Sequence, residues 1–342
     1  MLTDLIKQGL YKSRVMDLYH RLRNRDALTV IMYHRVLSPT DPRWATCDPD
    51  YTISDALFAS TVRFFKRHYN IVSIDDVLTA HAGRQRLPPR ALLITFDDGW
   101  KDNVDYALPI LQRENAPALL FTVADAVNRN EPFFQEQLIA AWRMQRLSND
   151  DLHEMAASAD APDTHRSNEG LSLLRILIAA LEMLSPQRRA NILSPYAMQL
   201  AESTRHMVTA DELKQLRAGA IAVGLHGKTH TPMTRAVDVD AELGEARNVV
   251  AQLLNVDKAQ LNTLSFPHGR WTPEILDRAR RLGYSLLFTS VPSLNKTFPR
   301  CSDVLGRLGF ETATIQDRHG NFRPDWLALY LFRRPNRYLP SH

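Results

Sequence analysis

Residues 91–96, Ala-Leu-Leu-Ile-Thr-Phe, run uncharged into Asp97-Asp98-Gly99-Trp100. An apolar run this short, entered after Pro88-Pro89-Arg90, is the pattern of a strand buried on both faces, as in parallel sheets covered by helices. A chain built on such a strand is constrained to alternate strands with helices and to carry its chemistry at the strands' carboxyl ends. Asp97 and Asp98 occupy one of those ends. Adjacent carboxylates repel, so holding both ionised calls for a nearby cation. The plainer alternative is a cap on the next helix, a common use of Asp.

A second stretch weighs against the plainer reading. Residues 221–225, Ile-Ala-Val-Gly-Leu, form another apolar run and end in His226-Gly227-Lys228-Thr229-His230-Thr231-Pro232. The glycines and the Thr-Pro step exclude a helix there, so the histidines lie on a strand end and its loop. Two imidazoles at this spacing can ligate one metal, and a carboxylate completes an open three-ligand site of the catalytic type. Two strand-end clusters of ligand-type residues seldom coincide by chance.

Thr95-Phe96-Asp97-Asp98-Gly99 followed by His226-x-x-x-His230 resembles the polysaccharide deacetylase family, the NodB-homology carbohydrate esterases, over about residues 28–310. The resemblance implies Asp97 as general base, and Asp98, His226 and His230 as ligands of zinc, with cobalt or nickel as substitutes. It implies hydrolysis of an N-acetyl group on a sugar of a polysaccharide or glycan intermediate, releasing acetate. Some relatives hydrolyse small cyclic amides, so a non-sugar C–N amide bond is the alternative.

The chain departs from the family in two places. Where most members carry Arg-x-Pro-Tyr-Gly, this sequence reads Ser265-Phe266-Pro267-His268-Gly269, and the arginine that pairs with the base is missing. Arg307, at the last strand end, is the candidate replacement beside a plain surface arginine. Pro267, His268 and Gly269 are the expected substrate and oxyanion segment, a backbone N–H near His268 being the donor. The usual Leu-x-x-His motif that supplies the general acid is also missing. Met32-Tyr33-His34 resembles instead the Tyr-His of the circularly permuted deacetylases of poly-N-acetylglucosamine, which implies His34 as the acid.

The order of apolar runs supports an α/β fold, an irregular (β/α)7-8 barrel of the NodB-homology type. Strands are expected at 28–34, 71–74, 91–96, 117–123, 221–225, 261–267, 284–290 and 304–308. Helices are expected at 54–67, 75–81, 103–114, 209–217, 239–254 and 273–282. Residues 130–205 break this rhythm with helices at 138–147, 150–157 and 171–184 and a polar loop at 158–170, a helical insertion able to serve as a lid or as a structural cap. The barrel is expected over 28–312 and a basic, aromatic extension over 313–342, either docked on the barrel or open to a binding surface.

The chain has 342 residues, 44% of them hydrophobic, enough for a packed core. A net charge of +4, spread along the chain, gives no nucleic-acid footprint. Cys47 and Cys301 make no disulfide framework and are read as ordinary thiols. Residues 1–27 lack the apolar core of a signal peptide, and no run is long enough to span a membrane. Leu2, Leu5, Ile6, Leu10, Val15, Leu18, Tyr19 and Leu22 recur at helical spacing among Lys and Arg. That pattern fits an amphipathic helix packed on its own domain, or one in peripheral contact with a membrane. The location expected is cytoplasmic, at most peripheral at the inner face of a membrane, with an N-acetylated glycan or lipid-linked sugar as partner.

Overall fold

The structure, a computed structural model, describes residues 2–162, 170–297, 301–333 and 335. The chain divides into two compact units, one of 1–38, 50–127 and 208–342, the other of 39–49 and 128–207.

The first unit holds the apolar runs. Its main sheet runs through the parallel strands β1 (Ala27–Tyr33), β2 (Ala91–Phe96), β3 (Ala118–Thr122), β4 (Ile221–Leu225), β5 (Thr263–Ser265), β6 (Leu286–Phe288) and β7 (Val304–Leu305), each paired with the next in that order, and a separate parallel pair joins Arg35–Leu37 to Thr52–Ser54. The ring closes because the backbone just after β7 returns to β1. Leu308 N donates to Val30 O at 2.8 Å, and Met32 N donates to Leu308 O at 2.9 Å. Two short strands add to it: Asn295–Lys296 runs antiparallel beside the start of β1, and Asn70–Ile71 runs parallel beside the start of β2. The architecture is therefore the expected irregular, nearly closed β/α barrel.

Alternation along each strand builds two cores. Leu28, Val30, Leu93, Leu119, Phe121, Leu286, Phe288 and Leu305 pack as one cluster. Ile31, Leu92, Ile94, Phe96, Leu120, Val223 and Leu264 pack in another with the helices. Both sets are buried, which is why β2 reads as one continuous apolar run. The helix at Asp55–His68 is capped by Ser54, whose side chain accepts from Leu57 N. Pro109, lacking an N–H, is met by a wide π-helical turn at Asn103–Ala107 before the regular helix Leu108–Glu114. Several expected strands are shorter than read, and 71–74 divides into the end of a strand and a helix, Ile74–His81, started by a Ser73–Asp76 capping box.

At the N-terminus one helix was expected and two are found. Residues 1–27 form two helices, α1 (Leu2–Lys12) and α2 (Val15–Arg23), separated at Arg14, whose φ is 61°. Both contact a third helix, Pro324–Arg333, so this part of the basic extension docks on its own unit. The basic and aromatic residues at 334, 337 and 338, and the side chain of Leu2, lie outside the described residues. Among the described residues, no helix is long and apolar enough to cross a membrane.

The second unit is helical, with Phe134–Arg143, Asn149–Ser158, Leu171–Glu182, Pro186–Leu193 and Ala197–Leu200 around Leu138, Ile139, Leu152, Met155, Leu174, Leu177 and Leu181. Residues 39–49 join it, which the sequence does not signal. Asp48 forms a two-pronged ion pair with Arg175 at 2.5 Å on each arm, and Glu136 accepts from Asp48 N. The expected polar loop lies partly at 163–169, outside the described residues.

Candidate active site and metal centre

Each candidate residue leaves the carboxyl end of a parallel strand: His34 after β1, Asp97 and Asp98 after β2, His226 after β4, Pro267–Gly269 after β5 and Arg307 after β7. Strand-end placement converges them on one end of the barrel, where this architecture exposes its loops.

Asp97 and Arg307 form the charged floor. Both are buried, and the guanidinium holds both carboxylate oxygens, Nη1 to Oδ1 and Nη2 to Oδ2, each at 2.7 Å. Arg307 also donates to Thr289 O at 3.0 Å and Ser265 Oγ at 2.8 Å, and lies over the Phe121 ring. Burial alone would push the Asp97 carboxyl up; the Arg307 charge, then His226, outweighs it and holds Asp97 below the usual range. Arg307 is thus no surface residue. It supplies from β7 the partner that the segment after β5 lacks.

Asp98 is held differently. Its Oδ2 accepts from Trp100 Nε1 at 2.9 Å, while its buried Oδ1 has no hydrogen-bond partner. That oxygen lies 3.5 Å from His226 Nε2 and 3.3 Å from His230 Nε2. His226 Nδ1 faces Ser265 O at 2.8 Å, an arrangement that leaves Nε2 as the lone-pair nitrogen. Burial lowers His226 to about 4 against the pull of Asp97, keeping the imidazole neutral. Burial also raises the Asp98 carboxyl, but the His230 beside it overrides this and keeps it ionised. One ligand atom from each of Asp98, His226 and His230 lies within 4.8 Å of the other two. An orphaned carboxylate oxygen facing two imidazole nitrogens fits a divalent cation, and the N₂O donor set suits zinc, cobalt or nickel.

The backbone is bent to make this geometry. Asp98 has φ 78° and His230 φ 66°, both in the left-handed region, each costing on the order of 1 kcal/mol. The loop between the histidines is gripped by Glu242, a buried acid on the following helix that the sequence reading missed. It accepts from Lys228 N at 2.7 Å, Thr229 N at 3.1 Å and Thr229 Oγ1 at 2.5 Å. Behind Asp98, Trp100 lies under the Arg35 guanidinium at 4.4 Å, and Arg35 pairs with Asp102 at 2.9 Å, both fully buried.

His34 is half-buried. Its charge acts on Asp97 and Asp98, and its ring meets Tyr51 edge-on with centroids 4.8 Å apart. It also lines a cavity of about 470 Å³, with Met32, Asp50, Tyr51, Phe310, Glu311 and Tyr330 among the walls. The segment after β5 makes a tight turn in which His268 has φ 56° and its ring stands 4.8 Å from that of His230. Burial lowers His268 to about 3. Within this turn the Gly269 N–H donates to Phe266 O at 2.8 Å. A side chain at Gly269 would run into Ser290, which is why the residue is glycine.

A family model described as polysaccharide deacetylase matches residues 84–165, a span that contains Asp97-Asp98 but not the histidine pair. No curated protein matches the sequence. Among solved structures, the Streptococcus pyogenes deacetylase PplD in complex with acetate is similar with a TM-score of 0.55 and 15% identity, over 89% of this chain and 97% of that one. IcaB from Ammonifex degensii gives 0.53 and 20%, over 83% and 92%. A de-N-acetylase from Aggregatibacter actinomycetemcomitans gives 0.53 and 18%, over 84% and 97%. At these identities the likeness is one of fold. The resemblance read from the two motifs is borne out to this extent: the polysaccharide deacetylase family model matches residues 84–165, and over most of its length the fold is similar to that of the deacetylases of solved structure.

Proposed function

We propose that the chain is a metal-dependent hydrolase that removes the N-acetyl group from a sugar of an N-acetylated glycan, free or lipid-linked, releasing acetate. The observation that carries the reading is the buried pair of carboxylates with divided duties: Asp97 clamped by Arg307, Asp98 turning an unpartnered oxygen to two imidazole nitrogens. Asp98, His226 and His230 would hold the metal. Bound there, a divalent metal supplies a Lewis acid for the acetyl carbonyl and lowers the pKa of water.

The chain's own residues do the rest. Asp97, kept ionised and fixed in direction by Arg307, takes the proton from the attacking water. His34, at the end of β1 beside the cavity, protonates the nitrogen as the C–N bond breaks. The amine leaves with that proton, and the acyl carbon leaves as acetate. The cavity beside His34, walled by the aromatic faces of Tyr51 and Phe310 and by Asp50 and Glu311, suits the ring and hydroxyls of the sugar.

The test is acetate release from N-acetylglucosamine oligomers by the metal-loaded chain, alongside metal analysis of His226→Ala/His230→Ala. One metal per chain, lost in the double variant together with acetate release, is expected. Full metal retention in that variant would overturn the ligand set. A metal-loaded wild type that releases no acetate from any N-acetylated sugar would turn the reading toward a non-sugar amide.

A further inference from the structure

The two N-terminal helices carry their apolar stripe on the outside. In α2 the side that meets the protein bears Met16 and His20, with Asn24 just beyond the helix end, all buried. The His20 ring stacks on Phe332 at 4.0 Å, and its nitrogens reach His68 O and Asn24 Nδ2. Polar residues are thus turned inward and satisfied. On the other side Val15, Leu18, Tyr19 and Leu22 are 54%, 59%, 45% and 73% exposed, and in α1 Leu5, Ile6 and Leu10 are 62%, 53% and 42% exposed. Among the described residues thirteen large apolar side chains are exposed, and these are seven of them. Such a concentration on two consecutive helices marks a surface that meets something apolar.

The charges say what it meets. Lys12, Arg14, Arg21 and Arg25 are exposed among the apolar residues. Of the acids in this segment, Asp17 is engaged by His68 and Arg21, and Asp4 by Lys7. A second copy docked through the same patch would set these cations against themselves. An anionic bilayer accepts both halves: apolar side chains enter the acyl boundary while arginine and lysine stay at the headgroups. We propose that α1 and α2 form an in-plane anchor that seats the protein on an anionic lipid surface through Leu5, Ile6, Leu10, Val15, Leu18, Tyr19 and Leu22. The proposal stands apart from the catalytic reading, since none of these residues belongs to the barrel site.

Sedimentation of the full chain with vesicles of phosphatidylglycerol and phosphatidylethanolamine tests it. The wild type pellets with them far more than with phosphatidylcholine, and keeps part of its binding at high salt. Leu18→Glu/Leu22→Glu, at exposed positions and with an unchanged melting temperature, lowers the partition roughly tenfold or more. A second readout does not depend on that variant. Leu22→Cys takes an environment-sensitive fluorophore while the buried Cys47 and Cys301 do not, and its emission shifts blue on the anionic vesicles. The idea fails if the wild type stays in the supernatant, or if the double variant binds as well. It fails equally if salt removes all binding with no blue shift, or if the label shifts with protein concentration alone, the sign of a second copy. Vesicle binding that appears only after removal of residues 336–342 would assign the surface to that tail instead.

Discussion

At the scale of single residues, the two aspartates differ by which of their oxygens is spoken for. Arg307 takes both oxygens of Asp97, whereas Trp100 takes one of Asp98 and leaves the other to the histidines. His34 stands apart, acting on both through charge and walling the neighbouring cavity. If it acts only on the leaving group, its loss must depend on how good that group is. His34→Ala is expected to slow an N-acetyl substrate by roughly two to four orders of magnitude, since an amine does not leave unprotonated. A nitrophenyl acetate ester, if the wild type turns it over with metal, should keep most of its rate. Equal damage to both substrates with metal still bound would remove His34 from this role. The meeting of Asp97, Asp98, His226 and His230 was legible because the acid pair and His226 follow apolar runs, His230 lies in the loop just beyond, and parallel strands gather such ends. Arg307 was legible for the same reason, though its depth was not. Glu242 was not legible: it is one acid among several near the start of the expected helix, and only the local winding, a π-helical turn at Ala241–Glu245, decides which of them reaches the histidine loop.

At the scale of elements, strands were read better than the helices at the chain ends. A strand buried on both faces has one reading, but a helical stripe says only that residues share a face, not which way the face points. The stripe of α1 and α2 points outward, and the buried side is held by His20, His68 and Asn24 against Phe332. This has a consequence for acid stability. Burial lowers His20 from its ordinary 6.5 to about 3. The unfolded chain therefore takes up a proton near pH 6.5 that the folded chain refuses until about pH 3. His20 makes no such demand above pH 6.5, and stability falls as pH drops from there toward 3. Chemical unfolding of the wild type and of His20→Phe between pH 5.5 and 4 should show the variant with a shallower dependence, by about 1.4 kcal/mol per pH unit. Parallel pH profiles would mean that His20 is protonated in the folded chain, with α2 opening locally in acid.

At the scale of the whole barrel, the ring is completed by very little backbone. β7 has two residues, and only Leu308 beyond it pairs with β1. Between them lies the short strand Asn295–Lys296, and its buried Asn295 side chain makes the bridge to Gly306. Asn295 Oδ1 accepts from Gly306 N at 2.8 Å, and its Nδ2 donates to Gly306 O at 2.9 Å and to Leu28 O at 3.3 Å, so an amide stands in for a missing stretch of strand. Gly306 has no room for a side chain there: a Cβ would lie 2.6 Å from Val291 O and collide with Ser293. The sequence placed a strand at 304–308 but held no sign of this staple, because a strand of two residues, Asn295–Lys296, is too short to show a periodicity. Since Arg307 sits between Gly306 and Leu308, the staple also sets where the guanidinium meets Asp97. Asn295→Asp keeps the shape but replaces the only donor with an oxygen facing two carbonyls. Its expected cost is about 3 kcal/mol of stability, read from chemical unfolding near neutral pH. The catalytic rate should fall with it while metal stoichiometry stays at the wild-type level, because Asp98, His226 and His230 hang from other strands. A variant that unfolds like the wild type would show that the ring closes without the amide. One that loses metal as readily as rate would show that the closure holds the whole rim rather than Arg307.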